Sequence, residues 1–180
     1  MWAQSIGEKA MKQPREQLKL VAALLAEETT LALATGGEDG LAAVTPLFYI
    51  ADEKLTLYWL SSEASPHSQN LRNESRAAVT VYREAESWRQ IRGVQMRGLV
   101  SKVANPERRR ALLKTYCGRF KLGRGLRLAI RQSVLYEFYP NFIRYIDNAK
   151  GFGCKFELTR QPEGWSLSRP AFSLRPFTEA

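Results

Sequence analysis

The chain has 180 residues, 44% of them hydrophobic and 25% charged, a balance that fits one globular domain with a real core and argues against disorder. Its start, MWAQSIGEKAMKQPREQ, lacks the apolar stretch of a signal peptide, and no run reaches the roughly 20 apolar residues that span a bilayer, so a cytoplasmic protein without a membrane partner is expected. The net charge of +9 is concentrated: Glu107–Arg131 holds nine basic residues and one acidic residue, which points to a local anion-facing surface and away from a uniformly basic nucleic-acid binder.

In chain order, Pro14–Glu27 reads as a helix, with Leu18, Val21, Ala22 and Leu25 at helical spacing and Pro14 suited to the first turn. Thr30–Thr35 reads as a strand, Gly36–Gly40 (GGEDG) as a hairpin loop and Leu41–Ile50 as the returning strand. Pro46 cannot donate to a ladder, so it marks a bulge or an edge. Leu55–Ser61 is apolar on both alternating sets, as in a strand covered on both faces. Ser65–Glu74 is a short helix with Ser65 as N-cap and Pro66 first.

Arg76–Tyr82 and Ile91–Val103 are further strands, and Gly93 and Gly98 would let the second one bend. Asn105-Pro106-Glu107 starts a basic helix that runs to about Tyr116, with Leu112, Leu113, Tyr116 and Phe120 on its buried side. Val134–Ile146 returns to strand character, Asn148–Gly153 is a loop, and Cys154–Thr159 pairs with Trp165–Ser168. Residues 1–13 read as an N-terminal arm, 14–159 as the barrel domain and 160–180 as a C-terminal strand and extended arm. Seven or so short strands with inserted helices suggest a closed or partly closed antiparallel barrel.

Cys117 and Cys154 stand far apart without CxxC neighbours, and His67 is the only histidine, so neither a disulfide framework nor a metal site is expected. Both cysteines read as buried or half-buried thiols. No catalytic constellation stands out, and the catalytic residues stay unassigned. A phosphate needs convergent donors. The Ser61 and Ser62 hydroxyls, the free N–H groups opening the Ser65–Glu74 helix and its dipole would converge on one, with protonated His67 adding a charged bond. Alternatively the serines cap the helix and His67 is a surface residue. Trp59 suits either ring stacking or the core, and Gln95 and Arg97 either face solvent or line a cleft. Asn148 and Lys150 would touch a ligand or a partner, or form a structural turn.

The run Thr30–Tyr82, TLALATGGEDGLAAVTPLFYIADEKLTLYWLSSEASPHSQNLRNESRAAVTVY, resembles the core of the pyridoxamine 5′-phosphate oxidase-like, FMN-binding split-barrel superfamily. The shared pattern is strand, glycine hairpin, strand with a central Pro, turn, strand ending in Ser, a Ser-x-His helix start where relatives carry Ser-x-Lys, and another strand. Ile91–Gly98 (IRGVQMRG) and Ile146–Lys155 (IDNAKGFGCK) resemble the smaller YhbP-like branch; together the similarity spans about Pro14 to Thr159.

The resemblance implies a mainly β fold with α: an antiparallel split β-barrel with an N-terminal helix, a short inserted helix and a basic helix after the long strand. It implies a homodimer with FMN in clefts between the subunits. Ser61, Ser65 and His67 would lie at the flavin phosphate, Val44, Thr45 and Pro46 along the ring, and Gly93 facing it. Ala43–Ile50 holds no basic residue, unlike the second strand of the oxidases. The leading expectation is a small FMN-dependent oxidoreductase, since a flavin carries its own redox chemistry. Its rivals are a non-enzymatic binder of flavin, haem or another small anionic ligand, and a basic nucleic-acid-associated protein.

Overall fold

A computed structural model describes residues 14–122 and 124–172. The expected 1–13 arm and the end of the C-terminal arm, 173–180, lie outside these residues. The first helix, α1 (Arg15–Glu27), leads into the hairpin β1 (Thr30–Gly36) and β2 (Ala42–Phe48). Then come β3 (Ile50–Ala51), β4 (Leu57–Ser61), α2 (Pro66–Asn73), β5 (Arg76–Tyr82) and the long β6 (Arg92–Lys102). The second half holds α3 (Pro106–Arg119), α4 (Arg127–Gln132), β7 (Val134–Asp147), β8 (Lys155–Gln161) and β9 (Gly164–Phe172).

All strand pairings are antiparallel, in the order β2-β1-β5-β6-β7-β4-β3, with β8 and β9 added beside β7. One edge of β7 runs along β6; the other is shared, its first half pairing with β4 and its second half with β8. The sheet therefore curls and divides at β7, the split-barrel arrangement expected from the sequence. β8 runs through position 160, so the β8–β9 hairpin straddles the expected boundary between barrel and C-terminal arm. Among the described residues no helix is long and apolar enough to cross a membrane.

Alternation along the strands fills the barrel interior. Leu31, Leu33, Val79, Val81, Val94, Met96, Phe138 and Ile143 form one buried cluster, joined by Val21, Leu24 and Leu25 of α1. Trp59 belongs to this core at 0% exposure and stacks on Tyr136 with ring centroids 6.0 Å apart, which takes the core option of its two expected roles. The opposite face of β4 sends Tyr58 into a second cluster with Ile50, Val103, Leu135 and Tyr116 of α3. That explains why both alternating sets of Leu55–Ser61 are apolar. Pro46 sits on β2, an edge strand, where its missing N–H leaves no ladder bond unmade.

The basic helix is largely an internal fastener. Asn105 caps α3 by accepting from Arg108 N at 2.8 Å. Arg108 donates to Tyr58 Oη at 2.7 Å and pairs with the buried Glu137 at 2.9 Å. Arg109 donates to the Ser133 carbonyl, and Arg119 to the carbonyls of Ala26 and Glu28. Three of the cations that made this segment look like a ligand surface thus tie α3 to the sheet, to the end of α4 and to the end of α1.

One irregularity interrupts the β6–β7 ladder. Arg97 pairs with Phe142 and Gly98 with Pro140, so β7 carries an extra residue, Asn141, at a bulge. Gly98 is required there: a Cβ on it would stand 2.1 Å from the Tyr139 carbonyl oxygen.

Candidate functional site

The residues expected to form the site fall into two places. At the start of α2, Ser61, Ser65 and His67 are brought into direct contact. The His67 Nε2 lies 2.6 Å from Ser61 Oγ and 3.1 Å from Ser65 Oγ, and the two hydroxyls are 3.1 Å apart. Ser65 Oγ also donates to the Ser62 carbonyl at 2.8 Å and meets Ser68 Oγ at 2.9 Å. Ser65 occupies the N-cap position but makes no side-chain cap bond, because its hydroxyl is engaged in this network. The first backbone N–H groups of α2 are thereby left uncapped.

His67 is not the surface residue of the alternative reading; it is 6% exposed, and burial pushes its pKa below the ordinary histidine value. A neutral ring shared between two hydroxyls is a positioning element and not a charged arm. Ser62 is exposed, and its Oγ accepts from Ala64 N. Beside the turn, a cleft between the β1–β2 hairpin and α2 is lined by Glu38, Asp39, Ala42, Pro66, Gln69 and Asn70, among others, and by no basic side chain.

The second place is the outer face of the sheet. Alternation and register set two rows of side chains across five strands: Val44, Ala34, Ala78, Arg97, Phe142, and beside them Pro46, Ala32, Thr80, Gln95, Arg144. Both rows put small residues in the middle and large ones at the flanks. The result is a groove of about 450 Å³ whose floor is Ala32, Ala34 and Ala78 and whose far wall is Gln95, Arg97, Phe142 and Arg144. It continues, through Ala34, Ala78 and Arg97, into a second hollow of about 510 Å³ bordered by Ala42, Arg76, Gly98 and Asn141. Ala42 is also part of the cleft against α2, so the groove and the α2 turn are joined around the end of β2.

Of the residues expected along a ring, Val44 lines the groove, 67% exposed, and Pro46 follows on the same face. Thr45 pairs with Leu33 and points to the opposite, core side. Gly93 lies one row further on, buried between Tyr82 and Ile146, where a Cβ would come within 3.0 Å of Tyr82 Cβ. Gln95 and Arg97 take the cleft-lining option of their two expected positions. Arg144, Phe142, Arg76 and the bulge were not foreseen. Asn148 serves the structural turn, donating to the Trp88 carbonyl and accepting from Gly153 N.

A flavin nucleotide meets these two places unequally. The groove's flat alanine floor and aromatic and guanidinium wall fit a planar ring. The α2 turn offers a phosphate uncapped N–H groups and the Ser62 hydroxyl, but its histidine is neutral, its cleft is acidic, and its two cations, Arg72 and Lys102, are already held by the carbonyl and carboxylate of Glu63. No metal-binding cluster of His, Cys, Asp or Glu occurs among the described residues.

Comparisons with known proteins agree with this fold. Residues 18–134 match the family model described as pyridoxamine 5′-phosphate oxidase. The UPF0306 protein YhbP of Escherichia coli O157:H7 is 32% identical over 109 residues, covering 60% of this chain and 70% of that protein. Among solved structures, Campylobacter jejuni ChuZ superposes with a TM-score of 0.70 at 15% identity, over 93% of this chain and 69% of that one. HutZ of Vibrio cholerae, described as a haem storage protein, superposes with a TM-score of 0.56 at 17% identity, over 72% of this chain and 91% of that one.

Proposed function

The chain belongs to the pyridoxamine 5′-phosphate oxidase family, alongside the YhbP-like proteins, and from that premise we propose that it binds a planar, anionic small molecule on the outer face of its sheet. Flavin mononucleotide is the first candidate. The observation that carries this reading is the groove itself: a small-residue floor that lets a ring lie flat, edged by Val44, Phe142, Gln95, Arg97 and Arg144. Val44 and Pro46 would flank the ring, Thr45 would hold the edge strand to the core, and Gly93 would keep the neighbouring row low. Ser61, Ser65 and His67 would fix the α2 turn at the other end, with Ser62 as its one exposed hydroxyl.

The exposed Val44, Phe48, Tyr82, Leu99 and Tyr139 lie on this side of the sheet or along its rim. A second copy of the chain is proposed to cover them, closing the groove from above. A bound flavin would supply redox chemistry, and the protein would position it and exclude water. A haem ligand is the second reading, favoured by the likeness to HutZ. The sole histidine offers it little, because His67 is buried and already shared between Ser61 and Ser65.

The absorption spectrum of the purified protein tests the proposal, together with thermal shifts in excess FMN, riboflavin and haem. A flavin band, or stabilisation by FMN that Val44→Arg abolishes, supports the groove. A protein that none of the three ligands stabilises removes the reading.

A further inference from the structure

We propose that Arg97 is the anchor for the anionic group of the ligand, so that the charged end of the bound molecule meets the middle of the sheet and not the α2 turn. This rests on the reading that the outer groove holds a planar anion, and it adds the residue that recognises the charge. Four observations converge on Arg97.

The first is its lack of an acidic partner. The other arginines of this face are committed: Arg76 to Glu74 at 2.5 Å, and Arg144 to Glu157 at 2.9 Å and to Gln95 at 3.3 Å. Arg97 shows no hydrogen bond or ion pair among the described residues. Its guanidinium instead lies over the Phe142 ring, 4.2 Å from guanidinium carbon to centroid. Stacking on a ring face fixes the plane of a guanidinium while leaving its N–H edges open, the presentation that suits a carboxylate or phosphate gripped at two points.

The second observation is the bulge. It falls between Arg97 and Gly98 and loops out Asn141, so the long strands are distorted at the residue that would bind. Bulges re-aim side chains, and Asn141 and Gly98 both border the same hollow as Arg97. The third is electrostatic: Arg97 is common to both halves of the groove, and no acidic side chain lines either half. The fourth is the contrast with the rival location, whose cleft carries Glu38 and Asp39, whose histidine is neutral, and whose cations, Arg72 and Lys102, are both engaged with Glu63.

The matching ligand class is a flat aromatic or conjugated ring bearing a phosphate or carboxylate, either on the ring or at the end of a short chain such as the ribityl chain of FMN. The test compares FMN with riboflavin, which keeps the ring and lacks the phosphate, by fluorescence titration of the full chain. Wild type should prefer FMN at least tenfold, and Arg97→Ala should erase that preference, the two affinities becoming equal within about twofold of each other. Arg97→Lys should retain part of it, and His67→Gln should leave the ratio unchanged. A preference that survives Arg97→Ala and disappears in His67→Gln overturns the proposal.

If neither flavin binds, the flavin reading fails separately. Thermal shifts in pyrophosphate then decide: stabilisation lost in Arg97→Ala keeps the anchor, and stabilisation equal in both proteins, or absent, removes it. Matching circular dichroism spectra of wild type and variant establish that the change is at the site. Arg97→Lys supplies the same comparison if the alanine variant does not fold.

Discussion

The start of α2 and the outer groove are both polar regions built on one barrel, yet their polar groups are disposed in opposite ways. At α2, four hydroxyl or imidazole side chains within eight residues satisfy one another, and the network closes on itself. In the groove, Gln95, Arg97, Phe142 and Arg144 come from two strands, Ala32, Ala34, Ala78 and Thr80 from two more, and among the described residues Arg97 meets the Phe142 ring and no acidic side chain. Closeness in sequence brought partners together and sealed the first region. Distance in sequence, folded through a strand register, left the second one open.

The largest effect is expected at the bulge. Gly98→Ala puts a methyl group 2.1 Å from the Tyr139 carbonyl oxygen, against backbone that cannot rotate away. The β6–β7 ladder would have to shift, at a cost of about 2–4 kcal/mol in line with severe overpacking. Urea denaturation measures the loss, and FMN titration should show the groove impaired in the same variant. Unchanged stability would mean that the bulge is soft and does not hold Arg97 in place.

His67→Ala comes next. It strips Ser61 and Ser65 of their shared partner and leaves a small cavity in a buried turn, so unfolding free energy should fall by about 1–3 kcal/mol. The comparison holds if this loss appears without any change in the FMN-to-riboflavin ratio. It fails if stability is untouched and FMN binding weakens, because His67 would then be a ligand group.

A smaller effect follows from acid. The folded-state pKa of His67 lies below its ordinary value of 6.5 through burial. Above about pH 6.5 the ring is neutral in both folded and unfolded chains, and its contribution to stability is complete. As pH falls below that, the unfolded chain takes up a proton that the folded one resists, so stability declines until the folded pKa is reached. The difference in urea midpoint between wild type and His67→Gln, followed from pH 7.5 to 5.5, should therefore shrink or reverse toward the acid end. A constant difference would mean that the ring protonates freely and is not sealed.

How much of this was legible in the sequence differs between the two regions for the same reason. β5 appears where alternation placed it, and the Asn105 cap and the α2 start lie within a residue of their expected positions. Each of these rests on local spacing or on a residue type with one strong backbone preference. The meeting of Ser61, Ser65 and His67 was legible too, since all lie close together around one turn. Its closure was not, because burial depends on how β4 and β1 approach α2. The groove needed two facts that no single segment carries: that Arg97 stands opposite Phe142, and that Val44, Ala34 and Ala78 complete the row. FIRYID did display Phe142 and Arg144 on one face of β7, but register alone joins them to Gln95 and Arg97.

The smallest predicted effect is the one that separates the two regions most cleanly. Arg97→Ala should leave stability within about 0.5 kcal/mol of wild type, because exposed side chains without partners contribute little. The interaction lost is the Phe142 contact, and an exposed cation–π contact is worth about 0.5–1 kcal/mol at most. Against that, removing a guanidinium from a face that also holds Arg76 and Arg144 relieves repulsion between like charges. The two terms oppose each other, so the net change should be near zero and should become slightly stabilising at low salt, where repulsion is least screened. Urea midpoints at about 20 mM and 500 mM salt measure both parts. A large loss of stability would give Arg97 a structural role like that of Arg108 or Arg119. A stability close to wild type, beside a lost preference for FMN, would mean that this residue is held ready for something outside the chain.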